Sequence, residues 1–499
     1  MSIMRAKKLK ADVAISAVFS LFSMIVLLWI VRLASEAYSP AMLGWFLLAR
    51  RFAGAGANLF QLGASQTLRR YISINFDLNE EKLSYIYVAL LGWLVISAII
   101  LVITFQLQFA LEAWLFPGNP DALGLAIGTT TYALALVLNY IVFSSLIAER
   151  KIALGNFLDT LASGGFLIPL LLFYGGKASL PWLLQFHAFA VVLLSWGVAI
   201  WYVLSLHISL VPDLNLVKRA AGNFCRYGVP RTFVTFADML ILLIGPWLLR
   251  TNPEESGYLL IALTLTRAIQ AAIQPLTQIA SVVTARLIGS DNNTTLSEGI
   301  NLLLGIVVYA STLLVAILVP WRYKLLLLWL GNAKVISGVL FYFDALIWAI
   351  IPYAVFQGLK GVIEMRWVRP LNLYTLVVSS VIYLLSYVIL LRFVGPSDAV
   401  RCSTLLSFIV LGVGSLIACC SYLRHPRYWG VYRLCFAAAG LVVVNKVAAN
   451  NLGGFYFSMA MSVSVVILWI LVFLKPAPFV RDLREFLLPG LGLRKSTLQ

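Results

Sequence analysis

The chain has 499 residues, 61% of them hydrophobic and only 11% charged, with a formal net charge of +17 and a mean hydropathy of +0.93. A soluble domain carries about 25% charged residues, so this composition excludes one, and apolar stretches of the ~20 residues that cross a bilayer recur from end to end. The basic excess reads as membrane topology and attraction to anionic lipid, and no nucleic-acid module accompanies it.

The expected class is an all-α integral membrane protein, because helices satisfy their own backbone hydrogen bonds in lipid. About fourteen transmembrane helices are predicted, over 12–31, 42–64, 84–108, 122–147, 152–174, 182–205, 229–249, 256–285, 297–320, 335–359, 370–393, 400–423, 429–448 and 453–474. The first follows a basic MRAKKLK. Ser35 and Ala37 suggest a signal-peptide cleavage site, but the apolar run is too long for a typical h-region, so an uncleaved span is expected. The second contains FLLARRFAGAG, with Arg50 and Arg51 inside an apolar run. The longest loops fall near 65–83 and 206–228. The fifth span carries Asp159. The seventh carries Arg231, Asp238 and an interrupting Gly245-Pro246. The eighth carries Arg267 and is interrupted at Pro275, and the tenth carries Asp344 and is interrupted at Pro352. Hinges, kinks and close packing are all open readings of these breakers. After the last span, FVRDLREFLLPG (479–490) reads as an amphipathic surface piece or a solvated tail.

Lys/Arg bias sets orientation. With the N-terminus inside, MRAKKLK, the LRR at 68–70, ERK at 149–151, VKR at 217–219 and RHPR at 424–427 all fall inside. The outer loop 109–121 has Glu112 and Asp121 but no Lys or Arg. One outer loop, with Arg322, Lys324 and Lys334, disobeys. The sum puts both termini in the cytoplasm, with the protein in the cytoplasmic (inner) membrane. The five cysteines and three histidines show no metal or disulfide spacing.

An internal repeat orders the spans. YSPAMLGWFLLARRFAGAGANLFQLG shifted by 213 positions meets TNPEESGYLLIALTLTRAIQAAIQPL, so that Pro40 meets Pro253, Gly44 meets Gly257, Ala49 meets Ala262 and Gln61 meets Gln274. This equates spans two and eight, which run in the same direction, and implies two pseudo-equivalent six-helix lobes plus two C-terminal helices. The boundaries are 1–215 for the N-terminal lobe, 216–425 for the C-terminal lobe, 426–475 for the two additional spans and 476–499 for a cytoplasmic tail.

Arg50 lies roughly 15 Å along a helix from Pro40, and Arg267 roughly 21 Å from Pro253, so both belong to the membrane interior. A central arginine costs about 2.5–3.5 kcal/mol on insertion scales. Two explanations stay open. Arg50, Arg51 and Arg267 contact an anionic substrate in a hydrated cavity, where the planar donor fork suits phosphate, or they pair with Asp159, Asp238 or Asp344. Arg231, nearer the inner end of its span, either contacts substrate or snorkels. Asp238, Asp344 and Asp159 are candidates for coupling a proton or Na⁺, with an ion pair to the arginines as the alternative.

On YSPAMLGWFLLARRF, QLGASQTLRRYIS, FCRYGVPRTFVTFAD and SGYLLIALTLTRAIQAAIQPLTQIAS the chain resembles the polysaccharide exporters of the multidrug/oligosaccharidyl-lipid/polysaccharide exporter superfamily, the O-antigen-type flippases. The resemblance implies a V-shaped pair of lobes with spans one, two, seven and eight lining a central cavity. It further implies translocation of a polyprenyl-diphosphate-linked oligosaccharide, its diphosphate or acidic sugars held by Arg50, Arg51 and Arg267. Fourteen spans also resemble the peptidoglycan-precursor flippase, but the first span lacks a central arginine. The expected function is that of a flippase working by alternating access. Alternatives are an ion-coupled exporter of small molecules and, against the absence of a paired catalytic carboxylate, a membrane glycan polymerase or glycosyltransferase. No cofactor is expected, with coupling to Na⁺ or H⁺ left open. Expected partners are the lipid-linked glycan, membrane lipids and glycan-assembly proteins such as a polymerase.

Overall fold

A computed structural model describes residues 3–75, 78–119, 124–149, 151–206, 213–264, 266, 273, 293–366 and 370–419. In chain order the helices are α1 (Ile3–Ala37), α2 (Pro40–Phe60), α3 (Ala64–Ile74), α4 (Asn79–Gln106), α5 (Gln108–Leu115), α6 (Leu125–Ala148), α7 (Ile152–Thr160), α8 (Leu167–Tyr174) and α9 (Leu180–Ser205). There follow α10 (Leu214–Asn223), α11 (Val229–Leu248), α12 (253–264), α13 (Asn293–Leu330), α14 (Ala333–Arg366), α15 (Leu371–Leu390) and α16 (Pro396–Cys419). π-helical turns at Leu161–Gly165 and Phe224–Gly228 join α7 to α8 and α10 to α11. No strand occurs among the described residues.

Among the described residues nine helical stretches are long and apolar enough to cross a membrane, so the chain is a multi-pass, all-α membrane protein. The thirteenth and fourteenth predicted spans, the 479–490 piece, Arg267 and Pro275 lie outside the described residues.

Local chemistry sets the helix ends. Ser39 caps α2, its hydroxyl accepting from the Met42 amide, with Pro40 in the first turn where its missing N–H goes unneeded. Asp213 caps α10 by accepting from the Asn215 amide at 2.9 Å. Between α2 and α3, Leu62 and Gly63 both take positive φ, 44° and 72°, and turn the chain sharply.

Three expectations are revised. The loops near 65–83 and 206–228 contain α3 and α10, short amphipathic helices whose charged residues keep hydropathy low. α13 runs on through 321–330, which was expected to be an outer loop. Neither Pro246 nor Pro352 interrupts its helix: α11 and α14 continue through them. Ser256 Oγ donates to the Pro246 carbonyl at 3.0 Å. Pro352 packs so closely on α16 that a Cβ on Gly412 would lie 2.7 Å from its Cβ.

The helices pack in two groups. In the first, α6 is the hub, against α2, α3, α4, α7 and α9. In the second, α14 lies between α13 and α16, with α15 on α16 and α11 on α15. The groups meet where α2 touches α11, α1 touches α13 and α4 touches α10. Large apolar side chains such as Leu91, Val95, Val102, Phe189, Leu193 and Val381 point outward, as a lipid-facing surface requires.

The groups touch at both ends of α2. Toward the Ser39 end, α2 meets α12 backbone to backbone, and hydrogen bonds lie beside that contact: Trp329 Nε1 donates to the Leu28 carbonyl at 2.8 Å, Arg250 Nε to the Trp114 carbonyl at 2.9 Å, and Ser35 Oγ to the Leu330 carbonyl at 3.3 Å. At the α3 end, backbone meets backbone, because a Cβ built on Gly63 would lie 2.1 Å from the Gly228 carbonyl oxygen. Asn223 Nδ2 donates to Tyr85 Oη there at 2.6 Å.

Candidate functional site

α2 has 21 residues, about 31 Å of helix, enough to span the ~30 Å hydrocarbon core. Its two arginines keep it below the apolar threshold that the nine stretches meet. It is sheltered instead: Trp45, Phe46, Leu48, Ala49, Ala53 and Ala57 are buried against α6 and α11. Arg50 and Arg51 stand partly exposed in the middle of this helix, about 100° apart around it.

Arg50 reaches the break between α7 and α8. Its Nη2 donates to the Ser163 carbonyl at 2.7 Å, and its guanidinium carbon lies 5.6 Å from the ring centre of Phe46, one turn back. The break is a π-helical turn in which Gly164 leaves helical geometry, and that turn diverts carbonyls from the helix ladder. A Cβ on Gly164 would lie 2.2 Å from Ile30 Cδ1 and 3.5 Å from Arg50 Nη2, so a small residue lets α1 and the guanidinium approach.

Two further side chains share these carbonyls. His187 Nε2 lies 3.1 Å from the Ala162 oxygen. Tyr132 Oη lies 3.3 Å from the Ser163 oxygen and 3.4 Å from that of Ala162. Both side chains are buried. Thus α2, α6 and α9 each send one donor to a break in the α7–α8 span. An unmet buried carbonyl costs about 1–3 kcal/mol, so the three donors hold the break in place. Tyr132 and His187 were not singled out from the sequence. The available signal was a Ser-Gly-Gly run (163–165) inside a span and a lone histidine in another.

None of the three carboxylates considered as partners forms an ion pair with Arg50 among the described residues. Asp159 accepts from Asn139 Nδ2 at 3.3 Å and lies within electrostatic reach of Arg69. Asp238 accepts from Lys360 Nζ at 2.8 Å, with side-chain exposures of 5% and 19%. Asp344 pairs with Arg322 at 2.6 Å. Arg322 had counted as a stray outer-loop charge; the continuation of α13 brings it against α14.

The Asp238–Lys360 pair is an enclosed ionic site. It links α11 to α14, and Asn372 of α15 closes over it, donating to the Lys360 carbonyl at 3.0 Å and to Glu364 Oε1 at 3.3 Å. Arg231 stands apart from both sites. It is exposed at the start of α11, its guanidinium carbon 3.8 Å from the centre of the Tyr227 ring. No group of three or more His, Cys, Asp or Glu side chains is placed to hold a metal among the described residues.

No family model and no curated protein matches the sequence. Solved structures do match. "Lipid II flippase MurJ, inward closed conformation" aligns over 94% of this chain and 99% of its own, with TM-score 0.68 at 13% identity. A mutant of the Vibrio cholerae MATE transporter VcmN aligns over 84% of this chain and 97% of its own, with TM-score 0.61 at 14% identity. A MOP superfamily transporter from Pyrococcus furiosus, with a binding pocket of reverse polarity, aligns over 82% of this chain and 95% of its own, with TM-score 0.63 at 15% identity. The chain has the fold of MOP-superfamily transporters. At these identities the likeness is one of fold. In that frame the two helix groups face each other across α2 and α11, and Arg50 and Arg51 stand in the middle of α2.

Proposed function

We propose that the chain is a flippase that carries a polyprenyl-diphosphate-linked oligosaccharide across the cytoplasmic membrane by alternating access, as in O-antigen assembly. The observation that carries this reading is Arg50: a partly exposed guanidinium in the middle of α2, hydrogen-bonded to a neutral carbonyl and paired with no carboxylate among the described residues. Such a charge is costly in lipid unless an anion or water meets it. The fold likeness to a lipid II flippase over nearly the whole chain adds weight.

In this reading lobes 1–215 and 216–425 rock about the α2–α11 seam, 426–475 adds two spans, and both termini are cytoplasmic. Arg50 and Arg51, with Arg267 from the repeat-equivalent helix, hold the diphosphate while the lipid tail stays in the bilayer, and Arg231, nearer one end, contacts the same cargo at another stage of its passage. No bond is made or broken, so no catalytic residue is assigned. Any coupling must arise from different affinities in the two states. Glycan-assembly proteins such as a polymerase are candidate partners.

A second reading, an ion-coupled exporter of small molecules, draws on the likeness to MATE structures and on the enclosed Asp238. Here Lys360 already occupies the carboxylate, so binding of H⁺ or Na⁺ would require the ammonium to release it. Asp344, which Arg322 occupies in the same way, and Asp159, which accepts from Asn139, are the other candidates for the role.

The test is reconstitution. Vesicles containing the protein should move a fluorescent polyprenyl-diphosphate sugar from one leaflet to the other without forming a covalent product. The Arg50→Ala/Arg51→Ala variant should insert normally and move at least tenfold less. Unimpaired movement by that variant would sink the reading.

A further inference from the structure

We propose that Arg70 and Arg231, held on one tyrosine ring, form a second anion site at the α3 end of the seam, which receives a phosphate or diphosphate ester before it reaches Arg50. This deepens the flippase reading and rests on it for its place in transport. Its binding chemistry stands separately.

The geometry is unusual for two like charges. Tyr227, in the π-helical turn before α11, has the Arg231 guanidinium carbon 3.8 Å from its ring centre and that of Arg70 at 4.5 Å. Those distances bound the two guanidinium carbons at about 8 Å apart, a gap one phosphate or diphosphate can bridge with donors ~2.9 Å from its oxygens. Both arginines are exposed. Among the described residues neither donates a hydrogen bond or forms an ion pair, so their donor forks remain available, and a planar fork matches phosphate. Glu364 lies within electrostatic reach of Arg231, but it is engaged by Asn372.

The ring itself is braced. Tyr71 meets Tyr227 edge-on at 5.9 Å and stacks on Tyr85 at 5.0 Å. Cation–π attraction offsets part of the repulsion between the arginines, and a bound anion removes the rest. Arg70 belongs to the first helix group and Arg231 to the second. The two come together because Gly63 and Gly228 let the groups touch beside them. The site therefore exists only with this end closed, and an anion in it favours closure.

The experiment uses the full chain in zwitterionic nanodiscs, titrated with inorganic pyrophosphate and with inorganic phosphate by calorimetry. Arg70→Gln and Arg231→Gln should each weaken pyrophosphate binding at least tenfold. Arg226→Gln, which removes a nearby exposed charge, should change it less than twofold. If Arg70→Gln fails to give a monodisperse protein, Arg70→Lys, which keeps the charge and loses the fork, is measured in its place. Nanodiscs containing phosphatidylglycerol distinguish the sources. Competition with pyrophosphate that disappears in Arg231→Gln identifies a lipid headgroup, and its absence identifies the diphosphate of the cargo. Unchanged affinity in folded Arg70 and Arg231 variants, or an equal loss in Arg226→Gln, overturns the site. Loss of pyrophosphate binding in a protein that flips nothing would retain the site and remove the flippase reading.

Discussion

Gly44 and Gly257 meet where α2 and α12 cross: a Cβ built on Gly257 would lie 2.8 Å from the Gly44 Cα, and one on Gly44 would lie 1.8 Å from the Pro253 carbonyl oxygen. The two glycines hold the same place in the repeat read from the sequence. Repeats related by an axis along the membrane normal put equivalent residues face to face at that axis, much as an isologous interface does. Only residues without a side chain allow the backbones so near.

Gly44→Ala should therefore push α2 and α12 apart. The clash is with backbone, which cannot swing away, and overpacking costs about 1–3 kcal/mol. A lower melting temperature is expected. Gly54→Ala, on the same helix with nothing within 4 Å of its Cβ, should melt like the unaltered protein. Equal melting of the two variants would count against the crossing.

Arg50 can be separated into charge and scaffold. Arg50→Lys keeps a cation but loses the planar fork whose Nη2 reaches the Ser163 carbonyl. It should lose stability by about 1 kcal/mol, the worth of a typical hydrogen bond, and retain part of the flipping rate. Arg50→Ala should lose both. Arg51→Ala should lower flipping and leave the α7–α8 break untouched. Flipping in vesicles and thermal unfolding in detergent report the two effects independently.

The Asp238–Lys360 pair predicts a double-mutant cycle. Asp238→Asn leaves the Lys360 ammonium without its hydrogen-bonded counter-ion, with Glu364 alone, among the described residues, within electrostatic reach, and Lys360→Met leaves a buried carboxylate. Breaking such a pair from either side costs about 3–5 kcal/mol, whereas replacing both together is often near neutral. The double variant should thus melt above either single one. Additive losses would show that the two residues do not act as a pair.

His187→Ala tests the three-donor cap. It removes the donor to the Ala162 carbonyl and a buried ring, so destabilisation of about 2–4 kcal/mol is expected from the lost hydrogen bond and the cavity together. Tyr132→Phe, which removes a hydroxyl alone, should cost about 1 kcal/mol. Flipping per folded molecule should stay within twofold for Tyr132→Phe. A larger drop without destabilisation would move Tyr132 from the scaffold to the transport path.

The spans were legible because lipid imposes one rule on every residue that crosses it, and a window of ~20 apolar residues records that rule. α3 and α10 escaped because amphipathic helices satisfy the backbone without meeting the window. Pro246 and Pro352 were read as interruptions, yet a proline inside a long packed helix removes one hydrogen bond and neighbouring groups absorb the rest. In the site, Arg50 stood out from the sequence because charge in an apolar run is rare. Its neighbours Tyr132 and His187 did not, since each is unremarkable in its own helix.

The amino-acid sequence by itself determined the class of molecule, the positions of most spans, and the fact that several charges must be buried with something to meet them. Tertiary structure alone decided what meets them. Asp238 found Lys360, Asp344 found Arg322, and Arg50 found the carbonyl of a broken helix rather than a carboxylate. Hydrophobicity acts residue by residue and so is written along the chain, whereas an electrostatic partner is chosen by distance, and distances between remote residues exist only once the helices have packed.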